Sequence, residues 1–132
     1  IGLGALLFFT CVFKYSQRPP QSFWSYAPNW NYMAEYRVYQ IVKNEHLTNY
    51  NIANLTYYDT YSSVVKYLLK RDNIQIQYDD YYTNTYLFVI APTLEMKNAP
   101  YEVATFKPAT LLKTWKINDG YNLYLLQRES KS

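Results

Sequence analysis

The chain has 132 residues, enough for one ordinary domain and an appendage. Thirteen Lys and Arg stand against ten Asp and Glu, giving a net charge of +3 with no basic block, so nothing in it looks like a nucleic-acid footprint. One cysteine and one histidine leave no disulfide framework, no Cys-based metal site and no Ser/His/Asp or Cys/His catalytic set, and the three glycines form no phosphate-cradling loop.

Residues 1–13 (IGLGALLFFTCVF) carry no charge, and Lys14 ends the run. Thirteen helical residues reach only roughly 20 Å, against about 30 Å of bilayer core. The run therefore reads as the outer end of a transmembrane helix cut by the start of the sequence. A signal-peptide core and a buried helix of the domain are the alternatives; the first lacks a basic leader and a small-x-small site. Residues 14–30, with Pro19-Pro20, Pro28, Phe23, Trp24, Tyr26 and Trp30, read as an extended juxtamembrane linker. The alternative there is a loop packed on the domain.

Residues 31–129 form the expected domain. Asn31 is a good N-cap for a helix over 32–45, where Ala34, Val38, Ile41 and Val42 make one apolar stripe and Glu35, Arg37, Gln40 and Lys43 occupy the other side. His46, near the helix end, is placed as a partner of the helix dipole. An apolar, β-favouring stretch around 51–58 follows, then Asp59 as the cap of a second helix over 60–71, whose stripe is Tyr61, Val64, Val65, Leu68 and Leu69. Lys66, Lys70 and Arg71 favour its C-terminal half.

Ile74-Gln75-Ile76-Gln77-Tyr78 alternates as a half-exposed strand does, and Tyr86 to Ala91 is a continuous apolar run closed by Pro92, the mark of a strand buried on both faces. Tyr101 to Phe106 reads as a short strand. Two β-favouring segments around Asp119-Gly120 give a C-terminal hairpin ending at Arg128, and residues 130–132 read as a disordered tail. The fold class is α/β (or α+β): a small mixed sheet of about 4–5 strands with a βαβ start, a C-terminal β-hairpin and two amphipathic helices.

In open α/β sheets ligands sit outside the carboxyl ends of the strands, which makes Asn54, Thr56 and Asp59 candidate binding residues. Asp79 and Asp80, the one adjacent carboxylate pair, precede Tyr81 and Tyr82; such a group can bind sugar hydroxyls and stack on a pyranose face, or form a solvated loop. Asn54-Leu55-Thr56 fits the glycosylation sequon, which on a strand reads as coincidental. No catalytic residue, metal ligand or cofactor is expected. The 17 tyrosines suit half-buried strands and interfaces, and also follow from a composition rich in Tyr, Asn, Lys and Ile.

The succession of apolar segment, Pro/aromatic linker, Tyr50-Asn51-Ile52-Ala53, Asp-capped helix ending Lys66-Tyr67-Leu68-Leu69-Lys70-Arg71, Leu87-Phe88-Val89-Ile90 and a closing stretch from Trp115 to Leu126 resembles a known family. It is that of the C-terminal extracytoplasmic region of bacterial multi-spanning glycosyltransferases that use polyprenyl-phosphate sugars. These are relatives of protein O-mannosyltransferases and aminoarabinose transferases, with the GT-C type of membrane fold. The resemblance is one of pattern over essentially the whole chain, without a diagnostic motif. It implies an accessory domain on the extracytoplasmic side of the cell membrane, with a lipid-linked sugar or a glycan acceptor as partner. In that family the catalytic carboxylates lie in the first extracytoplasmic loop, which nothing here matches, so no catalytic residue carries over. The other function in view is a membrane-anchored sugar- or protein-binding module.

Overall fold

A computed structural model describes residues 29–56, 59–77, 81–97 and 99–129. The apolar run, most of the linker, Tyr78, Asp79, Asp80 and the tail at 130–132 lie outside the described residues. The elements run α1 (Tyr32–Asn44), β1 (Tyr50–Asn54), α2 (Ser63–Arg71), β2 (Tyr86–Ala91), α3 (Tyr101–Ala104), β3 (Ala109–Lys116) and β4 (Asn122–Arg128). The four strands form one mixed sheet in the order β1-β2-β4-β3, with β1 parallel to β2 and the other pairs antiparallel. The α/β class, the βαβ start and the C-terminal hairpin are those expected.

β2 is central because it is apolar throughout: Leu87, Phe88, Val89 and Ile90 are fully buried, alternating toward two apolar layers. Phe88 and Ile90 meet the layer formed by α1 and α2, which also takes Val38, Val42, Val65, Leu68, Leu69, Leu123 and Leu125. Leu87, Val89 and Ala91 meet a smaller layer closed by Val103, Phe106 and Leu126. The period-3.6 stripes of the two helices explain their placement: each has one apolar face to bury, and the sheet supplies the surface. The Asn31 side chain accepts from the Ala34 amide at 3.0 Å, as an N-cap should. His46 follows the helix at φ 50°, in the left-handed position that ends many helices, rather than acting only through charge.

Five expectations are corrected. Ile74–Gln77 is extended, with Ile74 and Ile76 packed on the core, yet it makes one ladder-like bond, Gln77 N to Tyr50 O at 3.1 Å, and forms no strand. Tyr101–Ala104 is a turn of helix, because Pro100 sets the backbone for it and its carbonyl accepts from Val103 and Ala104. The second helix begins at Ser63, so Tyr61 precedes its register and is exposed rather than part of the buried stripe. Lys66, expected to favour the C-terminal half of the helix by its charge, is 1% exposed, with Nζ 3.8 Å from the Tyr61 ring centroid. Glu35, assigned to the polar side of α1, is also 1% exposed.

Trp30, read as the last linker residue, is buried. It sits edge-on to Tyr121 with centroids 5.2 Å apart, so the packed unit already includes it. The hairpin loop spans Ile117–Tyr121, longer than a two-residue Asp-Gly turn. Asn118 rather than a left-handed glycine shapes it: its Oδ1 accepts from Gly120 N at 2.9 Å. Arg128 at the end of β4 ties the smaller layer together, donating to the carbonyls of Tyr81, Asn84 and Thr105 with its guanidinium 4.4 Å from the Phe106 ring centroid. On the helical layer, Asp72 accepts from Lys43 Nζ at 2.8 Å, from the Tyr39 hydroxyl and from Arg71 Nε at 3.0 Å. These donors, Lys43 foremost, hold its carboxyl well below the usual carboxylate range.

Candidate functional site

Because β1 and β2 are parallel and adjacent, their carboxyl ends open at the same end of the sheet. A crevice of about 400 Å³ lies there. Leu55, Thr56 and Thr60 come from the chain leaving β1, and Ala91, Pro92, Thr93 and Glu95 from the chain leaving β2. Pro100 and Glu102 border α3, and Tyr121 comes from the hairpin. The strand ends hold this shape through the backbone: Leu55 N donates to Ile90 O at 2.8 Å and Asn54 N to Thr60 O at 3.2 Å.

The lining combines threonine hydroxyls, a tyrosine, two prolines and two carboxylates, Glu95 and Glu102; among the described residues no basic side chain lines it. Apolar walls with a few fixed polar groups are the usual make-up of a small-molecule site. Two other hollows have larger volumes, but neither lies at the carboxyl ends of β1 and β2. One of about 510 Å³ lies between Leu47–Asn49, just ahead of β1, and Lys70 with Asn73–Gln77. The other, about 710 Å³, is an open depression around Met96, Lys107 and Glu129.

The chain matches no family model, no curated protein and no solved structure.

Of the residues singled out in the sequence, Thr56 is at the crevice, 3% exposed. Asn54 is fully buried. Its Oδ1 accepts from the Thr56 amide at 3.0 Å, closing the turn after β1, so it shapes the crevice without lining it. Asp59 caps the second helix from a distance, accepting from Ser63 N at 2.6 Å and from Ser63 Oγ at 3.0 Å. Ser62, at the N-cap position, has a left-handed backbone and no capping bond of its own.

Tyr81 and Tyr82 belong elsewhere. The Tyr81 hydroxyl donates to Ile52 O at 3.2 Å and its ring covers the smaller layer. Tyr82 is exposed and edge-on to Tyr101, with their hydroxyls hydrogen-bonded. Neither Tyr81 nor Tyr82 lines the crevice, and Asp79 and Asp80 lie outside the described residues.

The residues missed were Thr60, Thr93, Glu95, Glu102 and Tyr121. Pro92-Thr93 was within reach of the same strand-end rule that picked Thr56. Nothing local marks Glu102 or Tyr121, which reach the crevice only through the α3 turn and the hairpin.

Behind the crevice wall stands Glu35. The Trp30 indole, packed on Tyr121, donates to Glu35 Oε1, and burial pushes the Glu35 carboxyl up to about 7, with the Trp30 bond opposing and the Asp59 charge adding to the rise. Among the described residues no three His, Cys, Asp or Glu are grouped to hold a metal ion, and no helix is long and apolar enough to cross a membrane.

Proposed function

We propose that this chain is an accessory domain on the extracytoplasmic side of a membrane glycosyltransferase, and that the crevice reads hydroxyl groups of its glycan acceptor. The observation that carries the reading is the crevice itself: a cleft at the carboxyl ends of two parallel strands, lined by Thr56, Thr60, Thr93 and Tyr121 with apolar walls. Hydroxyls and carboxylates bind sugar hydroxyls by hydrogen bonds, while the apolar walls suit the faces of a pyranose ring. Glu95 and Glu102 disfavour the phosphate of a lipid-linked donor by like-charge repulsion, which points to the acceptor. The membrane setting rests on the uncharged run at residues 1–13 and on the family pattern described above.

A second reading, a membrane-anchored binding module with no transferase attached, uses the same crevice. The test is a titration of the full chain in detergent micelles with a panel of neutral and phosphorylated oligosaccharides, followed by amide shifts. Saturable shifts at Thr56, Thr60, Thr93 and Tyr121 with neutral glycans support acceptor reading. A spectrum that ignores every ligand overturns it and leaves a purely structural domain.

A further inference from the structure

We propose that the domain rests on the bilayer through the end that carries Asn29, Tyr32 and Met33, so that the crevice opens toward the lipid surface. The inference rests on the membrane tether in the reading above and adds the orientation, which that reading leaves open.

Twenty-eight residues precede Asn29, the first thirteen of them apolar and uncharged. The place where this segment joins the domain is fixed. Asn118 Nδ2 donates to Asn29 O at 2.8 Å, and the next residue, Trp30, is buried against Tyr121. Tyr121 is also a crevice wall, and Asn122, where β4 begins, lies opposite Ala91, where β2 ends. The incoming chain, the hairpin tip and the crevice therefore share one end of the sheet.

The linker alone does not orient the domain: residues 14–28, fully extended, reach roughly 50 Å. The side chains beside the junction do. Met33 is 69% exposed and Tyr32 is 49% exposed, with the Tyr32 ring stacked on Tyr36 at 6.2 Å. A flexible apolar side chain next to aromatic rings with wet hydroxyls suits the headgroup boundary. Of the other exposed apolar groups, Tyr61 follows Thr60 and Tyr101 stands between Pro100 and Glu102, all three of them crevice-wall residues, whereas Tyr67 lies within α2 and Leu111 and Leu112 within the edge strand β3. Charge at the junction end is mixed and does not demand anionic lipid: Lys116 is paired with Asp119 at 2.8 Å, Arg37 donates to Ile117 O at 2.9 Å, and the crevice carries carboxylates. The surface it fits is an electroneutral bilayer.

The test uses the full chain in phosphatidylcholine nanodiscs containing a lipid with a paramagnetic headgroup. Amide relaxation at Tyr32, Met33, Asp119 and Gly120 should exceed that at Thr48 and Thr83, at the opposite end of the sheet, severalfold. The double variant Tyr32→Ser/Met33→Ser should flatten this gradient while the chain stays in the disc with its amide spectrum unchanged elsewhere. Relaxation strongest at Leu111 and Leu112 or at Tyr67, or uniform over the domain, overturns the orientation and leaves the tether standing. A chain that stays out of the discs altogether overturns both.

Discussion

The indole Nε1 of Trp30 donates to Oε1 of Glu35 at 2.5 Å, while Oε2 of the same carboxyl is buried with no hydrogen-bond partner among the described residues. A carboxylate so placed has one donor where it could use several, and burial penalises its charge.

This arrangement makes folding pH-dependent. The Glu35 carboxyl is raised from 4.5 to about 7, so the folded chain keeps a proton that the unfolded chain has already lost across this range. Stability therefore falls as pH rises from 4.5 to about 7, and levels off above it. A gap of that size corresponds to about 3 kcal/mol. Denaturant midpoints should drop between pH 5 and pH 8 because of this group, and Glu35→Gln should flatten the profile and be the more stable protein at pH 8. Parallel profiles for the two proteins would show that Glu35 is not the source.

Asp59 acts on two elements at once. It supplies the hydrogen bonds at the start of α2 that Ser62 does not, so Asp59→Ala should cost about 1 kcal/mol, the usual worth of such a cap. It also adds to the rise at Glu35, after burial. The same variant should move the Glu35 titration to lower pH, read as a shift of the stability profile toward acid. A loss of stability without that shift would confine Asp59 to capping.

The centre of the sheet should tolerate truncation poorly. Phe88 is fully buried on β2, edge-on to Tyr50 at 5.6 Å and tilted against Trp115 at 6.3 Å. Phe88→Ala removes a ring that three elements pack against, at a cost of about 3–5 kcal/mol. Urea unfolding should show a large fall in midpoint with an unchanged slope. A small change would mean that the two layers collapse around the cavity.

Thr60 tests the crevice without touching the core, since it is exposed and lies on the crevice wall. Thr60→Trp should fill part of the space and abolish glycan-induced amide shifts while leaving the melting temperature close to that of the parent. Retained binding would place the ligand elsewhere, the groove beside Asn73–Gln77 being the next site to probe.

The sequence alone determined the elements whose signal is local and long enough to be self-consistent. The stripes at Ala34, Val38 and Val42 and at Val65, Leu68 and Leu69 repeat at helical spacing, the run from Leu87 to Ala91 is apolar at every position, and Asp119-Gly120 separates two β-favouring segments. These dictate two helices, a central strand and a hairpin, and from them the α/β class. Tertiary structure decided what depends on partners far along the chain. Ile74–Gln77 alternates like a strand but is not part of the sheet ladder, bonding β1 from Gln77 N to Tyr50 O, and Tyr101–Ala104 is short enough for Pro100 to turn it helical. Nothing local marks Glu35 and Lys66 as buried, yet Trp30 closes over the first and tyrosine rings over the second. The crevice is the clearest case: Thr56, Glu102 and Tyr121 are distant in sequence and unremarkable one by one. Parallel pairing of β1 with β2, and the return of the hairpin to that end as β4 pairs antiparallel with β2, bring them together.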